Sequence, residues 1–224
     1  MAQTARTAQT ARTARRKRRG AGEEKRPNAR PAILETAQAT LGQDGFAGLT
    51  TRAVARAAGV PLSQIHYHFG SKEGLVLELL AHLDRQLFER QSAMFDAAMP
   101  LSARWRMACD FLDQDMDSGY VRLLQECTAQ GWSNPRIAVK VRELTGRWLS
   151  LLARVAEEAE PVLGPYHPFT PREVATLVAK AFLGAESMLL LGVDEKRDPI
   201  RTGLRKIGDV IEAREDANQL GETP

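Results

Sequence analysis

The sequence predicts an all-α fold, a small N-terminal group of three helices followed by a larger helical body, about nine helices altogether. Two observations carry this. Beyond Arg30, apolar residues recur three and four positions apart over almost the whole length, and no stretch alternates apolar with polar as a half-buried strand does. Capping residues, prolines and glycines also fall where those runs begin and end. With 224 residues, 43% hydrophobic and 26% charged, the chain is long enough to bury a sizeable core.

Residues 1–29 are expected to form a disordered basic tail. They contain a direct repeat, AQTART at 2–7 and again at 8–13, then an Arg-Arg-Lys-Arg-Arg run at 15–19, with nothing that can bury. Residues 1–30 hold ten Lys or Arg against two Glu, a net +8, while the remainder carries 21 basic and 26 acidic residues, a net −5. The basic balance therefore belongs to the tail, which is either a solvated extension or a source of salt-sensitive contacts to a polyanion. It lacks the amphipathic apolar residues of a transit peptide and the apolar run of a secretory signal, so a cytoplasmic location is expected. Cys109 and Cys127 lie in apolar-periodic surroundings without CxxC spacing and read as core thiols.

Folded structure is expected from residue 30. Ile33, Ala37 and Leu41 recur at helical spacing, Pro31 suits a first helical position, and Gly42 and Gly45 end this first helix. Thr50 is a good N-cap for a short second helix through Ala58, with Val54, Ala55 and Ala58 turned inward and Gly59 as its stop. A third short helix runs from about Pro61 to His68 and presents Ile65 and Phe69 to the core. Ser71 then caps a long helix striped by Leu75, Leu79, Leu83 and Leu87, with Glu73 in its first turn to complement the dipole. These signals bound a head at 30–75, a body at 76–216 and a C-terminal tail at 217–224.

Beyond Pro100 the periodicity places helices at 101–116, 119–130, 134–159, 171–192 and 199–214. Thr170, Pro171 and Glu173 form a capping box with proline in the first turn of the penultimate helix, and Gly192 marks its end. That helix is apolar on nearly all sides and must be covered all round. Lys180 and Glu186 interrupt the run, so no membrane span is expected. Together with the last helix, it can dock against the same pair from a second copy, which makes a two-fold homodimer through four helices. The expected contacts are Val174, Leu177, Val178, Ala181, Ala185, Met188, Leu204, Ile207 and Ile211.

The segment 50–69, TTRAVARAAGVPLSQIHYHF, joins two short helices through a tight glycine turn, and the second has polar residues on its outer face. This is the pattern of a helix-turn-helix, whose second helix enters the major groove of a duplex. Gly45 and Phe46, Thr50, Val54 and Ala55, the AAGV run at 57–60 and the YHFGSKE run at 67–73 carry a closer likeness. On these residues, 33–75 resembles the DNA-binding domain of the tetracycline-repressor (TetR) family.

The resemblance implies a sequence-specific transcriptional regulator, most simply a homodimeric repressor released from a pseudo-palindromic double-stranded DNA operator by a small-molecule effector. It implies that Leu62, Ser63, Gln64, His66, Tyr67 and His68 face the DNA, with Val60 and Pro61 at the helix entrance. Gln64 suits bidentate reading of adenine and Leu62 a thymine methyl, while Tyr67 and His68 suit phosphates. Thr51, Arg52 and Lys72 would clamp flanking phosphates. The sequence departs from the family pattern at Pro61, where Ser or Thr is usual, and at His66, where Tyr is usual.

In the body, Trp105, Phe111, Tyr120, Trp132, Trp148, Phe182 and Met188 are expected to line an apolar effector pocket between helices. No GxSxG, Walker loop, HExxH or glycine-rich dinucleotide turn occurs, so neither an enzyme nor a cofactor is expected. His66 and His68 do not face one another on a helix, and His82 and His167 are isolated, so no metal site is expected. Two other readings stand beside the repressor: a DNA-binding regulator that activates or needs no ligand, and a helical enzyme or scaffold without nucleic-acid contact.

Overall fold

The computed structural model describes residues 29–95 and 98–220. The basic tail read at 1–29 lies outside the described residues except for Ala29, and so do residues 221–224. Among the described residues the fold is built from helices: α1 (Ala29–Gly48), α2 (Thr51–Ala57), α3 (Leu62–Phe69), α4 (Lys72–Phe95), α5 (Leu101–Asp117), α6 (Tyr120–Gly131), α7 (Pro135–Leu163), α8 (Pro171–Leu190) and α9 (Ile200–Gln219).

Local chemistry fixes the head. α1 passes through Gly42 and breaks only at Gly45, whose φ of 67° and ψ of −171° fall where side chains other than hydrogen clash. One of the two expected stops is therefore an ordinary helical position. The Thr50 hydroxyl accepts from the Ala53 N–H at 3.1 Å and starts α2. α2 ends in a Schellman turn: Val60 N–H donates to the Ala55 carbonyl at 3.0 Å and Gly59 N–H to that of Arg56 at 3.2 Å, with Gly59 at φ 64°. α4 begins almost where α3 stops, under the Ser71 hydroxyl, which accepts from Gly74 N–H at 3.0 Å. A Cβ on Gly74 would stand 1.9 Å from the Phe69 carbonyl oxygen, so this close junction requires glycine.

The core does not respect the expected boundary at 75. Ile33, Leu41, Leu49, Val54, Ile65, Leu75 and Leu79 are packed in one cluster with Val121, Leu123 and Cys127 of α6 and Ile137 of α7. The head is thus seated on the body rather than tethered to it. A second cluster joins Cys109 and Leu112 of α5 to Phe182 and Ala185 of α8 and Leu204 of α9. In a third, Ala153, Ala156 and Ala175 let α7 and α8 approach closely.

One helix start is tied to a distant helix and another is capped by one. Asn134 caps α7, its side-chain oxygen accepting from Arg136 N–H at 3.1 Å, and its amide donates to Glu73 Oε2 at 2.7 Å in the first turn of α4. α5 starts after Pro100, which offers no side-chain cap. The Glu215 carboxylate of α9 supplies one, accepting from Leu101 N–H and the Ser102 hydroxyl at 2.5 Å each. α8 carries the expected Thr170–Glu173 capping box. The last helix runs past its expected end at 214 to Gln219, so the tail read from 217 is still helical there.

Gly74→Ala is expected to destabilise the protein by about 1–3 kcal/mol, because the new methyl must push α3 off the start of α4. Gly42→Ala meets nothing within 4 Å and is expected to be neutral or slightly stabilising. Thermal unfolding of the two variants checks the contrast.

Candidate functional site

Three features stand apart from ordinary packing, and the first is the outer face of α3. Turning Ile65 and Phe69 into the core leaves Ser63, His66 and Tyr67 on the opposite side, with Tyr67 81% exposed. Leu62, Gln64 and His68 are half-buried on the flanks, and Leu62 packs against the core. The ridge expected to include Leu62 and Gln64 therefore centres on His66 and Tyr67. His66 Nδ1 lies 3.1 Å from the Gly70 carbonyl, which can only accept, so the ring nitrogen donates there. The Tyr67 and His68 rings meet edge to face at 5.0 Å.

Thr51 is half-buried and Arg52 exposed at the start of α2. Lys72, at the start of α4, holds its ammonium 5.1 Å over the Phe46 ring. Residues 45–72 contain Arg52, Arg56 and Lys72 and no carboxylate. Glu73, next in sequence, is drawn toward the body by Asn134 and by Arg136 at 3.1 Å. The charged side chains of residues 45–72 are therefore all positive.

The second feature is a cavity of about 150 Å³ walled mainly by α4, α5, α7 and α8. Of the seven residues expected to line a pocket, Trp105, Tyr120, Trp148 and Phe182 do so. The Phe182 ring is met edge-on by Trp105 at 5.7 Å and by Trp148 at 6.5 Å, and the Trp105 indole N–H donates to the Leu204 carbonyl at 2.7 Å. The other three are corrected. Phe111 is buried elsewhere, with the Arg90 guanidinium 4.1 Å above its ring. Trp132 follows the last residue of α6 and is 86% exposed, and Met188 faces outward.

The cavity wall also holds buried carboxyls that sequence reasoning missed. Asp84 on α4 is ion-paired with Arg147 and accepts from the Tyr120 hydroxyl at 3.3 Å. Burial raises its pKa against the pull of Arg147. Asp115 on α5 is raised by burial too, and Arg90 opposes this from 2.6 Å. Glu186 on α8 is pushed up to about 7 by burial, eased only by a hydrogen bond from Gln125 Nε2 at 3.4 Å. A signal for them existed: Asp84 is in register with Val76 and Leu80, and Glu186 with Ala175, Ala179 and Phe182, acids on otherwise buried stripes.

The third feature is an uncovered apolar face on α8 and α9. Leu177, Ala181, Gly184, Met188 and Leu191 line one side of α8 and its end, and Gly203, Ile207 and Val210 one side of α9, all exposed. Of the contacts expected for pairing, Leu177, Ala181, Met188 and Ile207 lie on this face. Val174, Val178 and Ile211 line the cavity instead, while Ala185 and Leu204, though largely buried within the subunit, line a groove between these two helices. Gly184, Leu191, Gly203 and Val210 were missed because periodicity marks two apolar stripes on these helices without saying which faces out. No helix among the described residues is long and apolar enough to cross a membrane.

The profile of the bacterial regulatory proteins of the tetR family matches residues 33–79. The HTH-type transcriptional regulator BetI of Agrobacterium fabrum is 39% identical over 61 residues, 27% of this chain and 30% of that protein. The chain thus aligns with only about a third of the length of the curated relatives it matches. Among solved structures, the choline complex of a protein from Saccharomonospora viridis superposes with a TM-score of 0.67 at 22% identity, over 80% of this chain and 94% of that one. The stearoyl-CoA complex of the transcriptional regulator FadR from Bacillus subtilis gives 0.64 at 13% identity, over 80% and 96%. At such identities the likeness is one of fold.

Because the Glu186 pKa rises from 4.5 to about 7 on folding, the folded state binds an extra proton between those values, and stability falls as pH rises through that interval. Glu186→Gln removes the penalty. It is expected to be more stable than the parent at pH 8, by at most a few kcal/mol at about 1.4 kcal/mol per pKa unit, and the gain should shrink toward pH 5. Thermal unfolding across pH measures it, and a pH-independent difference would sink the assignment.

Proposed function

We propose that the chain, whose residues 33–79 match the tetR family of bacterial regulatory proteins, is a homodimeric transcriptional repressor, released from a pseudo-palindromic operator by a small ligand. The observation that carries this reading is the shared use of α4. One helix supports the exposed, carboxylate-free face of α2 and α3 at its start and forms a wall of the cavity further along.

In this reading Ser63, His66 and Tyr67 enter the major groove with Gln64 at their flank, while Arg52 and Lys72 hold phosphates on either side. The Glu73–Asn134 bond pins the start of α4 to α7. A ligand pressing on Leu87, Phe88 or Gln91 then tilts the helix about a held end, and the Gly74 junction passes the tilt to α3. A coupling of about 1–3 kcal/mol changes operator occupancy by roughly 5- to 150-fold. That neighbours of the same fold are complexes with choline and with stearoyl-CoA supports a ligand-taking body.

Two heads must face successive grooves, so the protein needs a two-fold axis. The apolar face of α8 and α9 supports one. A shallow groove between these helices is lined by Ala181, Gly184, Ala185, Gly203 and Leu204 and by Met188 and Ile207, which gives the side chains of an identical face somewhere to sit.

Selection of bound genomic fragments with the pure protein tests the reading directly: no duplex held more tightly than a scrambled one would end it. With a bound fragment in hand, Arg52→Ala and Lys72→Ala are expected to weaken all duplexes alike and lower the salt slope by about 1 each. Gln64→Ala should cost about 1–3 kcal/mol only where its base is present. For the pairing face, Leu177→Glu with Val210→Glu is expected to yield monomers in sedimentation, with operator affinity lost.

A further inference from the structure

We propose that the cavity takes a small organic cation, an ammonium with apolar substituents, whose charge is met by Glu186 and whose substituents lie against Trp105, Trp148 and Phe182. The inference deepens the reading of the body as a ligand-binding domain and rests on it. Its starting point is the balance of charge around the cavity. Four charged side chains line it: Asp84, Arg104, Asp115 and Glu186. Asp84 is answered by Arg147, Asp115 by Arg90 and Arg104 by Glu158. Glu186 is 9% exposed and has no ion-pair partner among the described residues. Gln125 reaches its Oε2 alone and divides its amide with the Leu183 carbonyl.

A carboxyl in such a place is expensive to ionise, and burial pushes its pKa up to about 7. A cation beside it removes that cost. The surroundings suit one. Glu186 lies one turn beyond Phe182 on the same side of α8, and both tryptophans meet the Phe182 ring edge-on. Aromatic walls attract a positive charge too weakly hydrated to be held by water, which describes a substituted ammonium better than a metal ion. The volume of about 150 Å³ sets the scale at a benzene-sized molecule and leaves no room for a long acyl chain.

The test uses the full chain and two probes of nearly identical shape. Choline carries a trimethylammonium group, and 3,3-dimethylbutan-1-ol carries an uncharged tert-butyl group in its place. Quenching of Trp105 and Trp148 fluorescence, checked by calorimetry, reads affinity at pH 8. Choline is expected to bind at least about tenfold more tightly than the alcohol. Glu186→Gln should abolish the preference without loss of fold, and Glu186→Asp should keep part of it. Equal binding of the two probes, a preference that survives in Glu186→Gln, or no binding of choline at about 10 mM would each overturn the proposal. DNA release is read separately on a selected operator fragment. Release by the alcohol but not by choline defeats the cation assignment and leaves the ligand-released regulator intact. Choline binding that depends on Glu186 in a protein that holds no duplex does the reverse.

Discussion

The arrangement of this molecule depends on α4 keeping one rotational setting about its own axis. Leu75, Val76, Leu79, Leu80 and Leu83 are buried on the side that faces the head and α6, and Asp84 is buried directly after them. A carboxylate removed from water costs several kcal/mol unless partners meet it, and Arg147 and Tyr120 stand where this helix delivers it. Rolling α4 either way would strand Asp84 or expose leucine. The helix can tilt or slide as a rod far more cheaply than it can roll, which makes it suited to carrying displacement from one end to the other.

Two arginines, Arg147 of α7 and Arg90 of α4 itself, brace that rod along its length. Arg147 stacks over Phe88 while pairing with Asp84, and Arg90 stacks over Phe111 while pairing with Asp115. Each guanidinium lies over a ring and pairs with a carboxylate of the cavity wall, so neither carboxylate is left without a counter-charge. Glu186 is the exception in this scheme, and its isolation sets it apart from the acids that serve as structural counter-ions.

Much of the fold was legible because it is written in local rules. Thr50, Gly59, Ser71 and the Thr170–Glu173 box act within a few residues of themselves, and each does in the folded chain what its neighbours in sequence imply. Elements that answer to distant partners were harder. Gly42 reads as a stop but sits in helix, because a glycine lacking a strained φ is only a weak residue and not a break. Phe111 and Trp132 look alike as pocket candidates, yet one lies beneath a guanidinium from another helix and the other at a helix end open to water. On α8 the two apolar stripes are chemically equivalent, and only the packing of α8 against α7 and α5 decides that Val178 faces the cavity and Leu177 does not.

The Glu215 clasp gives the end of the chain an unexpected weight. Its carboxylate neutralises the first backbone amides of a helix 114 residues earlier, and that helix contributes Trp105 to the cavity and Asp115 to its rim. The final turns of α9 are therefore a keystone rather than a trailing flourish. A protein shortened at 214, where hydrophobic periodicity fades, would lose a distant helix's first turn along with its own last one, and amide exchange at Leu101 and Ser102 would register the loss before any change reached the head.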